Sequence, residues 1–417
     1  MDGRIYAQWA IGEADIRWMF PLNSLWVERI ALTNFRNYTY VAVDAGPEPV
    51  VLVGANGAGK TNILEAVSLL AAGQGLRRAA YSDLARSSGA GRTAATGDGS
   101  WAVSAKVHGR DGPVDIGTGL PPANGMATRA PAARILRLNG QTQTGTGILA
   151  DLVEMVWLIP AMDGLFTGPA GERRRFLDRL ILCFDPAYRT IAGRFERAMQ
   201  SRNRLLADGV RDPSQFAGFE RIMAETGVAV AAARAQAGSA MAEIIAGRRI
   251  RDPQSPFPWA TIAIEGTLET SLATMAAVDV EDGYVKTLAS ARERDRAAGR
   301  TLDGPHRSDL VVAHGEKQMA ARLCSTGEQK ALLLGLVLAH AELVAARQDG
   351  IAPILLLDEI TAHLDEHRRA ALFTEILRLK AQAWMTGTDE SSFSALRGKA
   401  RFFRVDNGAI QRSSPEI

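Results

Sequence analysis

Apolar and polar positions change period several times along this chain, and the changes mark its organisation. Residues 27–70 read as two strands, a Gly-rich loop and a helix. The unbroken apolar run Pro49-Val50-Val51-Leu52-Val53 suits a strand buried on both faces, and helical spacing resumes over 62–70. A Gly/Ala/Thr/Ser-rich stretch, 87–100, punctuates the pattern as a mobile loop. Alternation over 101–107 and again over 134–138 predicts an antiparallel layer. From Glu172 the period turns helical: Phe176, Leu177, Leu180, Ile181 and Phe184 share one face, with Arg175 and Arg179 on another. Ile191, Phe195 and Met199 form the next stripe, opposite Arg194, Arg197 and Arg204, and the Ala-rich run 216–249 returns as a further helix. The prolines of 252–258 break it, 287–300 is charged and helical, and Gly304-Pro305-His306-Arg307 turns the chain back. No long heptad register runs through these helices, so they make a short arm. Toward the C-terminus, Pro353-Ile354-Leu355-Leu356-Leu357 is a second buried strand, ending in Asp358 and Glu359, and 382–388 is the last strand expected.

Composition narrows the class. A chain of 417 residues with 47% apolar content suggests two or three domains with ample cores. The most apolar stretch, 331–346, is interrupted by His340 and Glu342 and is too short to span a bilayer, so no membrane contact is expected. Cys183 and Cys324 supply neither a disulfide framework nor a metal spacing, which fits a reducing, cytoplasmic location. Net charge of +2 says nothing about nucleic acid, and the excess of arginine over lysine is discounted as a DNA signal. The first residues, 1–20, lack the basic start and apolar core of a signal peptide and read as an extension or a misplaced start.

Chemistry enters at Gly54-Ala55-Asn56-Gly57-Ala58-Gly59-Lys60-Thr61, which fits G-x-x-x-x-G-K-[ST] between a strand and a helix. Small residues let backbone N–H groups curl around a β-phosphate, Lys60 reaches the β and γ oxygens, and the Thr61 hydroxyl ligates Mg²⁺, so ATP with Mg²⁺ is the expected cofactor. Asp358 is placed to hold the metal through water, and Glu359 to orient and deprotonate the attacking water. Cys324-Ser325-Thr326-Gly327-Glu328-Gln329-Lys330 heads the long apolar helix, and Ala362-His363-Leu364-Asp365 follows the acids. Phosphate loop, Ser-x-Gly-x-Gln, Asp-Glu and Leu-Asp in that order spell an ABC-type ATPase head, an α/β fold with a helical arm inserted between its halves. Such a head is half a site. Ser325 and Gly327 are expected to complete the site of a second subunit, making an ATP-dependent homodimer, and Asp365 is expected to contact the nucleotide.

The gap between the halves is far longer than in a transport ATPase. It holds Gly168-Pro169 followed by Arg173-Arg174 and Phe176-Leu177-Asp178, and Leu32-Thr33-Asn34-Phe35-Arg36-Asn37-Tyr38 stands upstream of the loop. With Gly304-Pro305-His306-Arg307-Ser308-Asp309-Leu310 and Leu355-Leu356-Leu357-Asp358-Glu359, these motifs resemble the RecF family of bacterial DNA replication and repair proteins, over residues 27–405. The resemblance implies an ATP-operated clamp on duplex, gapped or junction DNA, weak DNA-dependent ATPase activity, work with RecR and RecO, and help in loading RecA. By likeness to ABC-type repair proteins, Arg36 is expected near the nucleotide, with a structural ion pair as the other reading. The expected division is 22–168 for the first part of the head, 169–300 for the arm and 301–410 for the rest of the head. This chain departs from the family in Glu359, where a second Asp is usual, and in Ala362-His363, where Ser-Glu is usual. No histidine occurs in the last strand; Thr388 is the expected substitute opposite the γ-phosphate, with slow hydrolysis. A stand-alone SMC-like or overcoming-lysogenisation-type ATPase is the alternative, disfavoured by the short arm. The arginines of the arm read either as a solvated face or as a track for DNA phosphates.

Overall fold

The computed structural model describes residues 24–86, 98–122, 133–362 and 364–413. The extension 1–20, His363 and nearly all of the loop expected over 87–100 lie outside the described residues. In chain order the elements begin with β1 (Trp26–Phe35), β2 (Tyr38–Asp44), β3 (Val50–Val53), α1 (Lys60–Ser68), β4 (Trp101–Gly109), β5 (Gly112–Leu120), β6 (Ile135–Leu138), β7 (Gln141–Gln143) and β8 (Met155–Leu158). They continue with α2 (Ala170–Leu182), α3 (Tyr188–Ala207), α4 (Pro213–Arg251), β9 (Ala260–Glu265), α5 (Thr267–Leu272), α6 (Ala277–Ser290), α7 (Arg292–Ala298), β10 (Asp309–His314), β11 (Met319–Ala320) and α8 (Thr326–Arg347). The chain ends with β12 (Ile354–Leu357), α9 (Glu366–Leu379), β13 (Ala383–Gly387), β14 (Arg401–Asp406) and β15 (Ala409–Ser413).

Two compact units result, 1–160 with 344–417, and 161–343. This differs from the expected division, because residues 301–343, with Ser325 and Gly327, group with the helical segment. The cause is a strand pairing that no local pattern announces: β10 runs antiparallel to β9, with Leu310 opposite Ile264 and His314 opposite Ala260. The backbone that leads to Ser325 is thereby hydrogen-bonded into the inserted segment.

In the first unit, a sheet of order β15-β14-β3-β13-β12-β8 is parallel through its centre. Every residue of β3, β12 and β13 is buried, which is why they read as apolar runs without alternation. Parallel strands end at the same sheet edge, so the loop after Val53, the acids after Leu357 and the end of β13 all emerge together. The antiparallel layer expected from the alternating segments is present, in the order β2-β1-β4-β5-β6-β7. Buried Gln382 joins the two sheets: its Oε1 accepts from Val27 N at 2.9 Å, and its Nε2 donates to the carbonyls of Val27 at 3.0 Å and Gly46 at 2.6 Å.

The second unit packs α3, α4 and α6 around Phe195, Met223, Val228, Ala231, Tyr284 and Leu288. Helix α4 has 39 residues, about 58 Å of rise, with Asp212 capping its start by accepting from Ser214 N. Gly227 lets it approach closely, since a Cβ there would stand 3.1 Å from the Phe195 ring. Between the helices lies Arg202, fully buried, bonded to Glu220, Asp295, Thr301 and the Leu288 carbonyl. The segment expected as one charged helix over 287–300 is two, divided at Ala291. Helix α8 is long and apolar enough to cross a membrane, but 78% of its apolar window is buried in protein.

Candidate nucleotide-binding and hydrolysis site

Residues 54–61 leave β3 in backbone conformations that only glycine takes without strain: φ is +113° at Gly59 and +80° at Gly57. A Cβ on Gly54 would stand 2.2 Å from the Val405 carbonyl oxygen, and one on Gly59 would meet the Asn37 amide at 2.5 Å. Ala55, Asn56 and Gly57 are exposed, whereas Ala58, Gly59 and Lys60 are buried. The Lys60 ammonium folds back over the loop, donating to the carbonyls of Gly54 at 2.6 Å and Ala55 at 2.8 Å. Burial lowers its pKa, opposed by the negative fields of Glu359 and Asp358. Helix α1 follows with no acid in its first turn, leaving the amides and positive dipole end free to receive an anion.

The acids arrive from the other end of the chain. Thr61 Oγ1 donates to Asp358 Oδ1 at 2.9 Å, a bond across 297 residues of sequence. Thr386, near the end of β13, donates to the same Oδ1 at 2.7 Å and accepts from the Glu359 N–H at 2.7 Å. Asp358 is buried, while Glu359 is exposed and held at φ +49°. One hydroxyl and one carboxylate oxygen side by side are hard donors that would suit Mg²⁺. Among the described residues no group of three or more His, Cys, Asp or Glu could hold a metal by itself. Thr388, the residue expected opposite the γ-phosphate, is exposed. Asp365 caps α9 by accepting from Arg368 N at 2.8 Å, and that bond holds its carboxyl below the usual range.

The Arg36 guanidinium lies in a bidentate pair with Glu65 on α1, at 2.8 and 2.7 Å, and also donates to the Asp83 carbonyl. Its neighbours grip the loop: Asn37 Nδ2 donates to the Ala58 carbonyl, Asn37 Oδ1 accepts from Asn62 Nδ2 at 2.8 Å, and the Tyr38 hydroxyl donates to the Gly59 carbonyl at 3.1 Å. Sequence reasoning gave Asn37, Tyr38, Glu65 and Thr386 no role. For Thr386 a signal existed, one hydroxyl at the end of an otherwise apolar buried strand.

In the second unit, exposed Ser325 opens α8. Its Oγ donates to Glu328 Oε2 at 3.0 Å, and its N–H donates to the same oxygen at 3.0 Å. Lys317 pairs with Glu328 as well, and these bonds pull the Glu328 carboxyl down to about 2. Gln329 fixes the preceding turn by donating to the Cys324 carbonyl at 2.9 Å. The arginines at the start of α2 find partners within the unit. Arg173 is bidentate on Asp309 at 2.8 Å, Arg174 donates to the Ser308 carbonyl at 2.6 Å, and Arg175 pairs with Glu172. The Arg173–Asp309 pair joins two sequence motifs that are far apart in the chain. Arg234 completes the junction, bidentate on Asp178 at 2.8 and 3.0 Å and donating to Ser308 Oγ at 2.8 Å. Arg194, Arg197 and Arg204 of α3 are all exposed.

Comparison with known proteins bears on this site. Residues 26–411 match the RecF/RecN/SMC N terminal domain family. The DNA replication and repair protein RecF of Mesorhizobium japonicum is 52% identical over 384 residues, 92% of this chain and 97% of that protein. That of Rhizobium rhizogenes is 50% identical over 391 residues, 94% of this chain and all of its own length. Among solved structures, the recombination mediator protein RecF-ATPrS of the RecFOR pathway superposes with a TM-score of 0.79 at 20% identity, covering 94% of this chain and 98% of that one. The Smc head domain of Pyrococcus furiosus with an extended coiled coil gives 0.52 at 16%, covering 93% and 96%.

Proposed function

The chain belongs to the RecF family of DNA replication and repair proteins, and from that premise we propose that it is an ATP-operated clamp that closes on DNA at damaged or stalled replication forks. The observation that carries the proposal is the hydrogen bond from Thr61 to Asp358, because it assembles a phosphate loop and a second acidic motif from opposite ends of the chain. ATP enters as Mg·ATP. Loop amides and Lys60 take the β and γ phosphates, and Thr61 and Asp358 are the residues that would hold the metal. Glu359 activates the attacking water. The exposed Ser325 and Gly327 turn, at the N-terminus of α8, meets the γ-phosphate held by a second copy, so hydrolysis takes place at a dimer interface and is slow and DNA-dependent. Asp365 is a further nucleotide contact in this reading. The partners in this reading are duplex, gapped or junction DNA, RecR and RecO, with RecA loading as the outcome and the cytoplasm as the setting.

The test is assembly. Ser325→Arg puts a long cation where a small hydroxyl and backbone donors are needed, so the monomer should still bind ATP while ATP-driven dimerisation and hydrolysis are lost. Mixed with Lys60→Met protein, it should regain part of the activity, since one composite site of the mixed dimer keeps an intact loop and an intact Ser325. Sedimentation with ATP, and DNA binding with and without ATP on duplex, single-stranded and junction substrates, report both steps. Normal dimerisation and turnover by Ser325→Arg would end the clamp reading.

A further inference from the structure

We propose that Thr386 is a positioning residue for the water-activating acid: its buried hydroxyl, bonded to Asp358 and to the Glu359 backbone together, fixes the geometry in which Glu359 works. The proposal rests on the reading of Glu359 as the base and adds the residue that holds it.

The direction of the two bonds follows from what each atom can do. A backbone N–H only donates, so the Thr386 oxygen accepts from Glu359 N at 2.7 Å. The threonine's single proton is then free for the Asp358 carboxylate, and the Thr386 oxygen lies 2.7 Å from its Oδ1. Thr61 donates to that same oxygen at 2.9 Å. Thr61, Asp358, Thr386 and the Glu359 amide therefore form one continuous chain of bonds from the phosphate loop to the base.

Glu359 needs such an anchor. Its φ of +49° is a left-handed conformation that a side chain with a Cβ adopts at a cost, and it persists only where neighbouring structure enforces it. Thr386 is fully buried in a strand whose register is set by parallel pairing, Leu357 opposite Met385 and Thr386 opposite Leu52. Its hydroxyl is thus fixed by the central sheet, while Glu359 sits at the exposed edge.

Thr386→Val keeps the shape and removes the hydroxyl, leaving the Glu359 N–H without this partner. Removing one such bond lowers an affected step by about tenfold or more. The expected result is a kcat for ATP lowered about tenfold, with KM and ATP affinity within about threefold of wild type, and an ATP-bound dimer that persists longer. Thr386→Ser should restore the rate. Amide exchange at Glu359 without nucleotide should be slow in the wild type and faster in the valine variant. Thr386→Ala stands in should valine disturb the sheet. A wild-type kcat in both hydroxyl-free variants, a raised KM with kcat unchanged, no rescue by serine, or fast exchange at Glu359 in the wild type would each overturn the proposal. The two readings fail separately. Wild-type turnover by Glu359→Gln removes the base assignment, whereas a dead Glu359→Gln beside a normal Thr386→Val removes only the positioning role.

Discussion

The side-chain amide of Asn37, in the turn between β1 and β2, donates to the carbonyl oxygen of Ala58 inside the phosphate loop at 3.2 Å. Its own oxygen accepts from Asn62 on α1, so one residue from outside the loop bridges the loop to the helix that follows. A loop whose amides must all point at one phosphate gains from being set beforehand, because ordering it on binding would cost affinity. Asn37→Ala should weaken ATP binding about three- to tenfold, the equivalent of one or two neutral hydrogen bonds, with a small fall in melting temperature. Titration with a fluorescent ATP analogue measures it. Unchanged affinity would make the bridge purely structural.

Lys60 and Glu359 should separate binding from chemistry. Lys60→Met removes the cation aimed at the β and γ phosphates and should abolish ATP binding with everything that depends on it. Glu359→Gln keeps size and hydrogen bonding but not basicity, so ATP should bind normally, hydrolysis should nearly stop and the ATP-bound dimer should accumulate. Calorimetry and single-turnover hydrolysis on the two variants distinguish these outcomes.

The exposed arginines of α3 offer a track for phosphates. Arg194 lies 3.5 Å from Glu225, and both side chains are at least half exposed, so that pair is a weak competitor for DNA. Neutralising Arg194, Arg197 and Arg204 together should weaken duplex binding regardless of sequence and make the salt dependence shallower by about two to three in log–log slope. Equal affinity and slope would reduce the stripe to a solvated face.

His340, on the apolar helix behind Ser325, gives stability a pH dependence. It is buried, with Nε2 donating to the Leu180 carbonyl at 3.1 Å and Nδ1 unpaired, and burial pushes its pKa down to about 3. Above the unfolded value of about 6.5 neither state is protonated and nothing is lost. As pH falls below 6.5 the unfolded chain takes up a proton that the folded chain refuses until about pH 3, so stability declines across that window. Between pH 6.5 and 5 this group should cost roughly 2 kcal/mol. Urea unfolding of wild type and His340→Leu at both pH values should show the variant losing less on acidification; parallel losses would assign the dependence to other groups.

Local sequence determined what local physics can determine. A phosphate loop is legible because its glycines, lysine and threonine are contiguous, each required by backbone geometry or charge within a single turn. Strands β3, β12 and β13 were legible because burial on both faces demands unbroken apolar runs, and β4 and β6 because burial on one face demands alternation. The tertiary structure decided everything that depends on which distant segments meet. Strand order, not spacing, sets Asp358 beside Thr61, and it also brings Thr386 to both acids. The pairing of β9 with β10 moved the Ser325 segment into the second unit, and hydrogen-bond pairing between two short strands leaves no trace in either one's period. Arg202 makes the same point on a single helix. In sequence it resembles Arg197 and Arg204, yet it is fully buried against Glu220 and Asp295 because helices α4 and α7 close over it. Arg36 reads in sequence either as a nucleotide contact or as half of an ion pair, and the fold sets Glu65 on α1 against it. A charged residue carries the same chemistry whether it meets solvent, a carboxylate or a phosphate, and only its neighbours in space choose among them.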